Sequence, residues 1–401
     1  MRDVLPLLHE RWRRGETVAL ATVVGAYRSA PRPVGSSMLV TADGTISGSV
    51  SGGCVEGAVY ELAQAAIGGA PPTVETFGIA DEQAFAVGLT CGGVIDVLVE
   101  AMSPGSFVEL PELAESVAAG EPVALATVVA DDDGRRVGRR VVVRATDVVG
   151  STGLDRIDAA VVDDARGLLA HGHNAVVTYG PQGERRGEGL KVFVATFAPR
   201  PRLIVFGATD VAAALVEQAA LLGHDVTVCD ARAVFAVAER FPRAEHVVVA
   251  QPHRYLADQV AAGAVDGRTV LCVLTHDPKF DVPLLAVALR LEGVARPAFV
   301  GVMGSRRTHA DRQERLRREG LGEEELARLS SPVGLDLGGR TPAETALSIM
   351  AEVVAARWGG SGLRLGEVEG RIHHDQVADS AAQAREWAEA LLSGPGAAGT
   401  I

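Results

Sequence analysis

Aromatic residues and basic charge are both scarce in this chain of 401 residues. Phe, Trp and Tyr make up only 4% of it, so Ala, Val, Leu and Gly must fill the interior of each domain. The formal net charge of −13 argues against nonspecific binding of nucleic acid, which needs an extended basic surface. A local basic pocket is still compatible with this total. The hydrophobic share of 47% is typical of a globular protein, and the length suffices for two or three domains.

Long apolar runs and paired-cysteine motifs are also missing. No run of 18 uncharged apolar residues predicts a membrane span, and the start of the chain does not resemble a secretory signal peptide. The chain has four cysteines, with no CxxC spacing and no adjacent histidine cluster: Cys54, Cys91, Cys229 and Cys272. We therefore expect a cytoplasmic protein without a structural metal site or disulfides, and with neither membrane nor nucleic acid as a partner.

The most informative segment surrounds Cys54. Gly52 and Gly53 precede this thiol, and an apolar pattern typical of a helix runs from Val55 to Ala66. Backbone N–H groups and the helix dipole at a helix N-terminus favour a thiolate, which is a better nucleophile and a soft ligand. We expect the glycine N–H groups to close around an anion. The alternative is a small buried cysteine at a helix start, with glycines that serve only a turn.

A repeat divides the first 200 residues into two similar halves. The sequence VALATVV at 18–24 recurs at 123–129, and each copy is followed by a Val-Gly pair, a β-type run, a helical stretch and a last strand. The repeat predicts two similar β-α-β units, at about residues 15–105 and 120–198, in a domain of residues 1–198. Only the first half of the repeat contains thiols, which favours a function for Cys54. Cys91 lies in a second glycine loop and either faces the same site or is incidental to a tight turn.

From residue 199 the pattern changes to alternating strands and helices. It predicts a Rossmann-like domain over residues 199–360, with a parallel sheet covered on both faces, and a partly helical or disordered tail over 361–401. The first loop, Gly207-Ala208-Thr209, departs from GxGxxG because threonine stands at the second glycine. Asp230 ends the second strand, where such folds bind a ribose hydroxyl, and Arg232 suits a 2′-phosphate. A Rossmann fold that is only a scaffold is the alternative.

Two more loops follow predicted strands at the sheet edge where α/β folds bind ligands. In the loop with Thr275, His276 and Asp277, the histidine suits an anion contact or acid–base catalysis. The other loop starts a helix with a Gly-Ser pair and two arginines, which suits a phosphate group: Gly304, Ser305, Arg306 and Arg307. The alternatives are a helix cap with solvated arginines and a histidine that fixes its own turn.

Together these motifs resemble the XdhC/CoxI family of molybdenum hydroxylase accessory proteins. The resemblance covers about residues 18–357. It rests on GGCVE at 52–56, CGG at 91–93, THD at 275–277, GSRR at 304–307 and PVGLD at 332–336. The family loop GAGHVA is GATDVA here, at 207–212, so the usual nucleotide contacts of its second glycine and histidine are changed. The implied fold is α/β, with a duplicated N-terminal domain followed by a Rossmann-like domain.

The resemblance also implies a function. Family members are chaperones that bind molybdenum cofactor, in a pterin or pterin dinucleotide form, and support its sulfuration by a cysteine desulfurase. They insert it into a xanthine dehydrogenase- or CO dehydrogenase-type apoenzyme, and the family implies a homodimer. Cys54 is carried over as the cofactor-binding residue, because a soft thiolate suits a molybdenum–sulfur centre. The other expected cofactor contacts are Gly52, Gly53, Glu56, Cys91, Gly207, Ala208, Thr209, Asp230, Arg232, Thr275, His276, Asp277, Gly304, Ser305, Arg306 and Arg307.

Two other functions remain open at this point. An NAD(P)-dependent oxidoreductase would bind its cofactor in the C-terminal domain and its substrate in the N-terminal one. A nucleotide-binding interaction protein without catalysis would explain why no complete catalytic triad or metal-ligand set is visible. Cys54 and His276 are the two candidates for a catalytic residue, and we expect a maturation factor rather than a turnover enzyme.

Overall fold

The computed structural model describes residues 1–27, 30–78, 93–132, 134–185 and 187–369, and these divide into two compact units. The first unit holds the described residues from Met1 to Pro199, and the second holds those from Arg200 onward. The elements of the first unit are α1 (Leu5–Arg13), β1 (Val18–Tyr27), β2 (Ser37–Val40), β3 (Ile46–Gly48), α2 (Glu56–Ile67), β4 (Thr73–Phe77), β5 (Val94–Met102), α3 (Leu110–Ala118), β6 (Val123–Ala130), β7 (Arg140–Arg144), β8 (Val148–Gly150), α4 (Asp155–His171), β9 (Ala175–Tyr179) and β10 (Leu190–Phe197).

The two halves of the first unit share one topology. One antiparallel sheet has the strand order β3-β2-β1-β5-β4, and the other has the same order in its own strands, β8-β7-β6-β10-β9. In each half three strands precede the long helix, α2 or α4, and two strands follow it. The repeated sequence motif is the central strand of each sheet, β1 or β6.

Burial on both faces explains why that motif is almost continuously apolar. In β1, Ala19, Ala21 and Val23 face a core that includes the buried side of α2. Val18 and Leu20 face the opposite way, into a core to which both halves contribute. Alternate residues of a strand point to opposite faces of its sheet. A central strand with two covered faces therefore needs apolar residues at every position.

The second unit contains a six-stranded parallel sheet. Its strand order is β13-β12-β11-β14-β15-β16, the usual order of dinucleotide-binding folds, and the Rossmann-like prediction is confirmed. Leu203 and Val205 face one core, while Ile204 and Phe206 face the other. Its elements are β11 (Arg202–Phe206), α5 (Asp210–Leu221), β12 (Asp225–Asp230), β13 (His246–Val249), α6 (Pro252–Ala261), β14 (Val270–Val273), α7 (Pro278–Leu289), β15 (Phe299–Val302), α8 (Arg306–Arg318), α9 (Glu323–Ala327), β16 (Leu329–Ser330) and α10 (Pro342–Trp358).

Some predicted features fall outside the described residues. Cys91 lies in the segment 79–92, and most of the predicted tail lies in 370–401, so their expected roles stay predictions. Within the described ranges, no helix has both the length and the apolar character that crossing a membrane requires.

Candidate functional site

The loop between β3 and α2 presents Cys54 beside two exposed glycines. Val50 and Val55 are fully buried and anchor the two ends of this loop in the core under α2. Gly52 and Gly53 have φ angles of +81° and +123°, which side chains rarely tolerate. A Cβ at either glycine would meet nothing within 4 Å. The backbone angle, rather than crowding, therefore requires glycine at both positions.

Glu56, at the start of α2, fixes this loop from inside. Its carboxylate accepts hydrogen bonds from the backbone N–H of Ser51, Gly52 and Gly53, at 2.9, 2.9 and 2.8 Å. The hydroxyls of Ser49 and Ser51 donate to it at 2.7 and 2.5 Å. Partial burial opposes ionisation, but these hydrogen bonds outweigh it and lower the pKa of Glu56 to about 2. The N–H groups of the glycine loop thus bind a carboxylate of the protein itself, and the expected cofactor contacts of Gly52 and Gly53 stay predictions.

The second half repeats this arrangement without the thiol. Asp158, in the first turn of α4, accepts hydrogen bonds from the Ser151 hydroxyl at 2.6 Å and the Thr152 backbone N–H at 2.7 Å. The Thr152 hydroxyl donates to the same carboxylate at 2.5 Å. A carboxylate that holds the loop before the helix is therefore common to both halves. What distinguishes the first half is the pair of glycines and Cys54.

The described cysteines occupy two different environments. Cys54 is half-buried and packed against the core under α2. Cys229 and Cys272 are buried in the second unit, and burial raises the pKa of each thiol to about 12. Thiols of that kind are chemically inert near neutral pH. Among the described cysteines, Cys54 is the one that is partly exposed to solvent.

The Gly207 loop of the second unit packs against the neighbouring strand's loop. Gly207 has a φ of +111°, and a Cβ there would lie 2.9 Å from the Thr275 side chain and 3.0 Å from its backbone nitrogen. Thr209 caps α5 by accepting a hydrogen bond from the Ala212 N–H at 3.2 Å. Asp210 follows in the first turn of α5. The glycine therefore serves contact with Thr275, and a carboxylate stands where a dinucleotide fold places pyrophosphate.

Asp230 ends β12 as predicted, but its carboxylate is already engaged. It accepts hydrogen bonds from the Ala208 N–H at 2.8 Å and from the Arg232 backbone and side chain at 2.8 to 3.0 Å. Burial alone would raise the pKa of Asp230. The hydrogen bonds from Arg232 and Ala208 have the larger, opposite effect, so the pKa of Asp230 is lowered overall. In this structure the acid predicted to bind ribose ties the Gly207 loop to Arg232.

The other two predicted loops also follow strands of the parallel sheet. His276 is exposed, and Asp277 caps α7 by accepting a hydrogen bond from the Lys279 N–H at 3.1 Å. Ser305 caps α8 through the Thr308 N–H at 3.1 Å. The two arginines that follow Ser305, at 306 and 307, are exposed, and their side chains make no hydrogen bond or ion pair with any described residue.

A buried ion pair that the sequence analysis missed supports these loops. Arg312 on α8 and Asp281 on α7 pair at 3.2 Å, with side chains 4% and 2% exposed. Arg312 also donates to the Met303 carbonyl and the Ser331 hydroxyl, at 3.1 and 3.2 Å. The Thr275 hydroxyl donates to Asp281. The pair thus joins the loops after β14, β15 and β16. A lone aspartate in the apolar stretch of α7 was the only sequence signal.

No group of three or more His, Cys, Asp or Glu side chains suited to a metal ion occurs among the residues that the structure describes. Among the described residues of the first unit, Cys54 is the cysteine that could supply a soft metal contact. In the second unit, the exposed arginines at the start of α8 are the groups suited to an anion.

Comparison with known families decides the classification. The family model for the "XdhC and CoxI family" matches residues 11–78 and 116–180, and that for the "XdhC Rossmann domain" matches residues 203–353. The chain belongs to the XdhC and CoxI family. The resemblance seen in the motifs is thereby confirmed, and the first match falls on both halves of the duplicated unit.

Individual XdhC/CoxI relatives agree with this. The chain is 30% identical over 247 residues to YqeB of Escherichia coli (strain K12), covering 59% of this chain but only 44% of YqeB. It is 26% identical over 356 residues to the same organism's molybdenum cofactor insertion chaperone PaoD, covering 89% of this chain and 88% of PaoD. It is 25% identical over 344 residues to a probable xanthine dehydrogenase subunit of Bacillus subtilis (strain 168), covering 85% of this chain and 94% of that protein.

A solved structure shares the fold of this XdhC/CoxI chain. It is a crystal structure described as a xanthine dehydrogenase from Bacillus halodurans. The superposition has a TM-score of 0.62 and 23% sequence identity, and it covers 88% of this chain and 95% of the other. At this identity the likeness supports the α/β architecture and carries no residue roles.

Proposed function

We propose that this chain is a chaperone that binds molybdenum cofactor as cargo and inserts it into a xanthine dehydrogenase- or CO dehydrogenase-type hydroxylase. The similarity to PaoD, which extends over 89% of this chain, supports this assignment. The partners we propose are the hydroxylase apoenzyme, a cysteine desulfurase that sulfurates the bound cargo, and a second copy of this chain.

In this proposal Cys54 is the residue that contacts molybdenum. The observation that supports this role is the fixed loop on which the Cys54 thiol is held. The thiol is half-buried on a loop that Glu56 holds in one conformation. The equivalent loop of the second half has the fixing carboxylate but no thiol. A thiolate is a suitable soft ligand for a molybdenum–sulfur centre. The loop scaffold thus has a structural purpose in both halves, and the thiol is added to it in one.

For the second unit we propose a nucleotide-containing ligand bound through the exposed arginines of α8. Arg306 and Arg307 extend from the capped start of this helix, beside the carboxyl edge of the sheet. The NAD(P)-dependent oxidoreductase is the weaker alternative. Asp230 is engaged by Arg232, and Asp210, which pairs with Arg240, stands at the helix start where a pyrophosphate would bind.

Cofactor content after co-expression in a host that makes molybdenum cofactor tests the main proposal. We expect Cys54→Ser to keep the wild-type melting temperature and lose most of its molybdenum, because a hydroxyl is a poor soft ligand at neutral pH. Cys229→Ala is the matched control, since it removes a thiol that is buried in the second unit. If the Cys54→Ser protein melts normally and carries as much molybdenum as the wild type, the proposal is wrong.

Nucleotide binding is tested separately. Titration calorimetry with CMP, GMP and NAD⁺ should detect binding of at least one of them to the wild type. Arg306→Ala should weaken that binding by about 1–3 kcal/mol, the range for a charge-assisted hydrogen bond. Arg315→Ala, an exposed arginine later in the same helix, should leave it unchanged. If the wild type binds none of the three compounds, the nucleotide-binding proposal is wrong for them and the Rossmann unit serves only as a structural scaffold.

A further inference from the structure

A buried ion pair joins the two halves of the first unit. Arg140 on β7 pairs with Glu100 on β5, with side chains only 3% and 5% exposed. The Arg140 guanidinium also donates to the carbonyl oxygens of Gly138 and Ser106, at 2.7 and 3.2 Å. It lies over the ring of Phe107, 4.6 Å from the centroid. These side chains fill the space between the halves on one side of the duplicated structure.

Strand register identifies the position equivalent to Arg140 in the first half. The fifth residue of the repeated motif is Thr22 in β1 and Thr127 in β6. Thr127 is paired with Arg140, and Thr22 is paired with Ser37. Ser37 is therefore the counterpart of Arg140. The duplicated position carries a long cation in one half and a small hydroxyl in the other.

The same register identifies the counterpart of Glu100. The third residue of the motif is Leu20 in β1 and Leu125 in β6. Leu20 is paired with Glu100, and Leu125 is paired with Ala195. Ala195 is therefore the counterpart of Glu100. Both members of the ion pair are replaced by small residues at the equivalent place.

At that place the structure has an open groove instead of an ion pair. The groove has a volume of about 570 Å³, and Ser37 and Ala195 both line it, a size typical of small-molecule sites. Asn174, also in its wall, donates to the Val34 carbonyl at 3.1 Å and accepts from the Thr196 N–H at 2.8 Å. Asn174 thus holds the wall within the second half and links it to the first half, so the groove is preformed.

The charges around the groove favour an anion. Its charged side chains are Arg2, Arg32 and Asp3, so cations are in excess there, although the whole chain has a net charge of −13. Arg2 donates to the Ala198 carbonyl at 2.7 Å. Arg32 is exposed and has no hydrogen bond or ion pair with the described residues. Its guanidinium is available to a phosphate group, which it matches in geometry.

The groove adjoins the loop that carries Cys54. Gly48 and Ser49, at the end of β3 and the start of that loop, line the groove. The Ser49 hydroxyl is one of the groups that hold Glu56. One wall of the groove is therefore continuous with the scaffold of the thiol. A ligand in the groove would lie against the same loop that presents Cys54.

We propose that this groove binds the phosphate group of a small phosphorylated molecule, with Arg32 as the principal contact and Arg2 beside it. If the function proposed above holds, this phosphate belongs to the pterin cargo whose molybdenum end contacts Cys54. The small counterparts of Arg140 and Glu100, Ser37 and Ala195, leave the space for it. A free phosphate compound has the same chemistry, so the test separates the two sources.

Binding of inorganic pyrophosphate to the purified, cargo-free chain is the first arm of the test. We expect calorimetry to detect binding to the wild type, and Arg32→Ala to weaken it about tenfold. The double variant Ser37→Arg/Ala195→Glu places an ion pair in the groove and should weaken binding at least as much. Arg13→Ala removes an exposed arginine on α1 and should change nothing. No wild-type binding, or wild-type affinity in both groove variants, would overturn the proposal.

Molybdenum content after co-expression is the second arm. Arg32→Ala and the double variant should each retain several-fold less molybdenum than a wild type that carries it, with a normal thermal melt for Arg32→Ala. If both variants keep wild-type content, the groove does not hold the cargo. If the wild type itself carries no molybdenum, the proposed function fails. Pyrophosphate binding that depends on Arg32 then assigns the groove to free phosphate compounds.

Discussion

Replacing Glu56 with glutamine tests the account of the thiol loop. The pKa of Glu56 falls from 4.5 to about 2 in the folded chain, which corresponds to roughly 3.5 kcal/mol at about 1.4 kcal/mol per pKa unit. Because the carboxylate is only partly buried, solvent screening reduces the expected loss of unfolding free energy to about 1–2 kcal/mol. The glutamine NH₂ group would also face N–H donors that now bind a carboxylate oxygen.

The pH dependence gives this prediction a sign. The folded pKa of Glu56 lies below its unfolded value, so the stabilisation is fully present above about pH 4.5 and is lost as the pH falls towards 2. Urea unfolding should therefore show a difference between wild type and Glu56→Gln that is largest at pH 7 and smaller at pH 3.5. Equal stability at pH 7, or a difference that grows as the pH falls, would refute the reasoning.

Asp158→Asn is the matched control, because Asp158 holds the equivalent loop of the second half. Both variants should be less stable than the wild type. Only Glu56→Gln should change the alkylation rate of Cys54, because only that loop carries a thiol. An equal effect of the two variants on Cys54 would mean that the change reflects general loosening of the first unit.

Two further predictions concern residues whose burial decides the outcome. Pulsed alkylation with peptide mapping should label Cys54 faster than Cys229 and Cys272, whose burial raises the pKa of each to about 12; slower labelling of Cys54 would contradict the exposure argument. Arg312→Met should lower the unfolding free energy by about 3–5 kcal/mol because it leaves Asp281 unpaired in the interior. A urea midpoint equal to that of the wild type would show that the pair does not stabilise the fold.

The architecture was predictable because it depends on periodic apolar patterns. The repeated VALATVV motif marked the central strands β1 and β6, and the alternation after residue 199 indicated the parallel sheet. Each pattern is local in sequence and reflects which face of an element is buried. The positions of the strands around Gly207 and Asp230 followed from the same patterns.

The contacts at the candidate site were less predictable because they depend on where loops bring side chains. Glu56 was expected among the ligand contacts, yet its carboxylate occupies the glycine loop itself. Asp230 lies at the expected strand end, but its carboxylate accepts a hydrogen bond from Arg232. Both contacts join residues that are close in sequence, but they depend on the backbone conformation of each loop, which residue spacing alone does not specify. The groove lined by Ser37 was not predicted from the sequence, because the equivalence of Ser37 with Arg140 follows only from strand register.

Native mass spectrometry of the chain, purified from a host that makes molybdenum cofactor, tests the central claim most directly. The account predicts a wild-type species heavier than the polypeptide by the mass of a molybdenum-containing pterin or pterin dinucleotide. The added mass should be largely lost in the Cys54→Ser variant and retained in Cys229→Ala. A wild-type protein that carries only NAD(P), or no ligand at all, would contradict the proposal that this chain is a molybdenum cofactor chaperone.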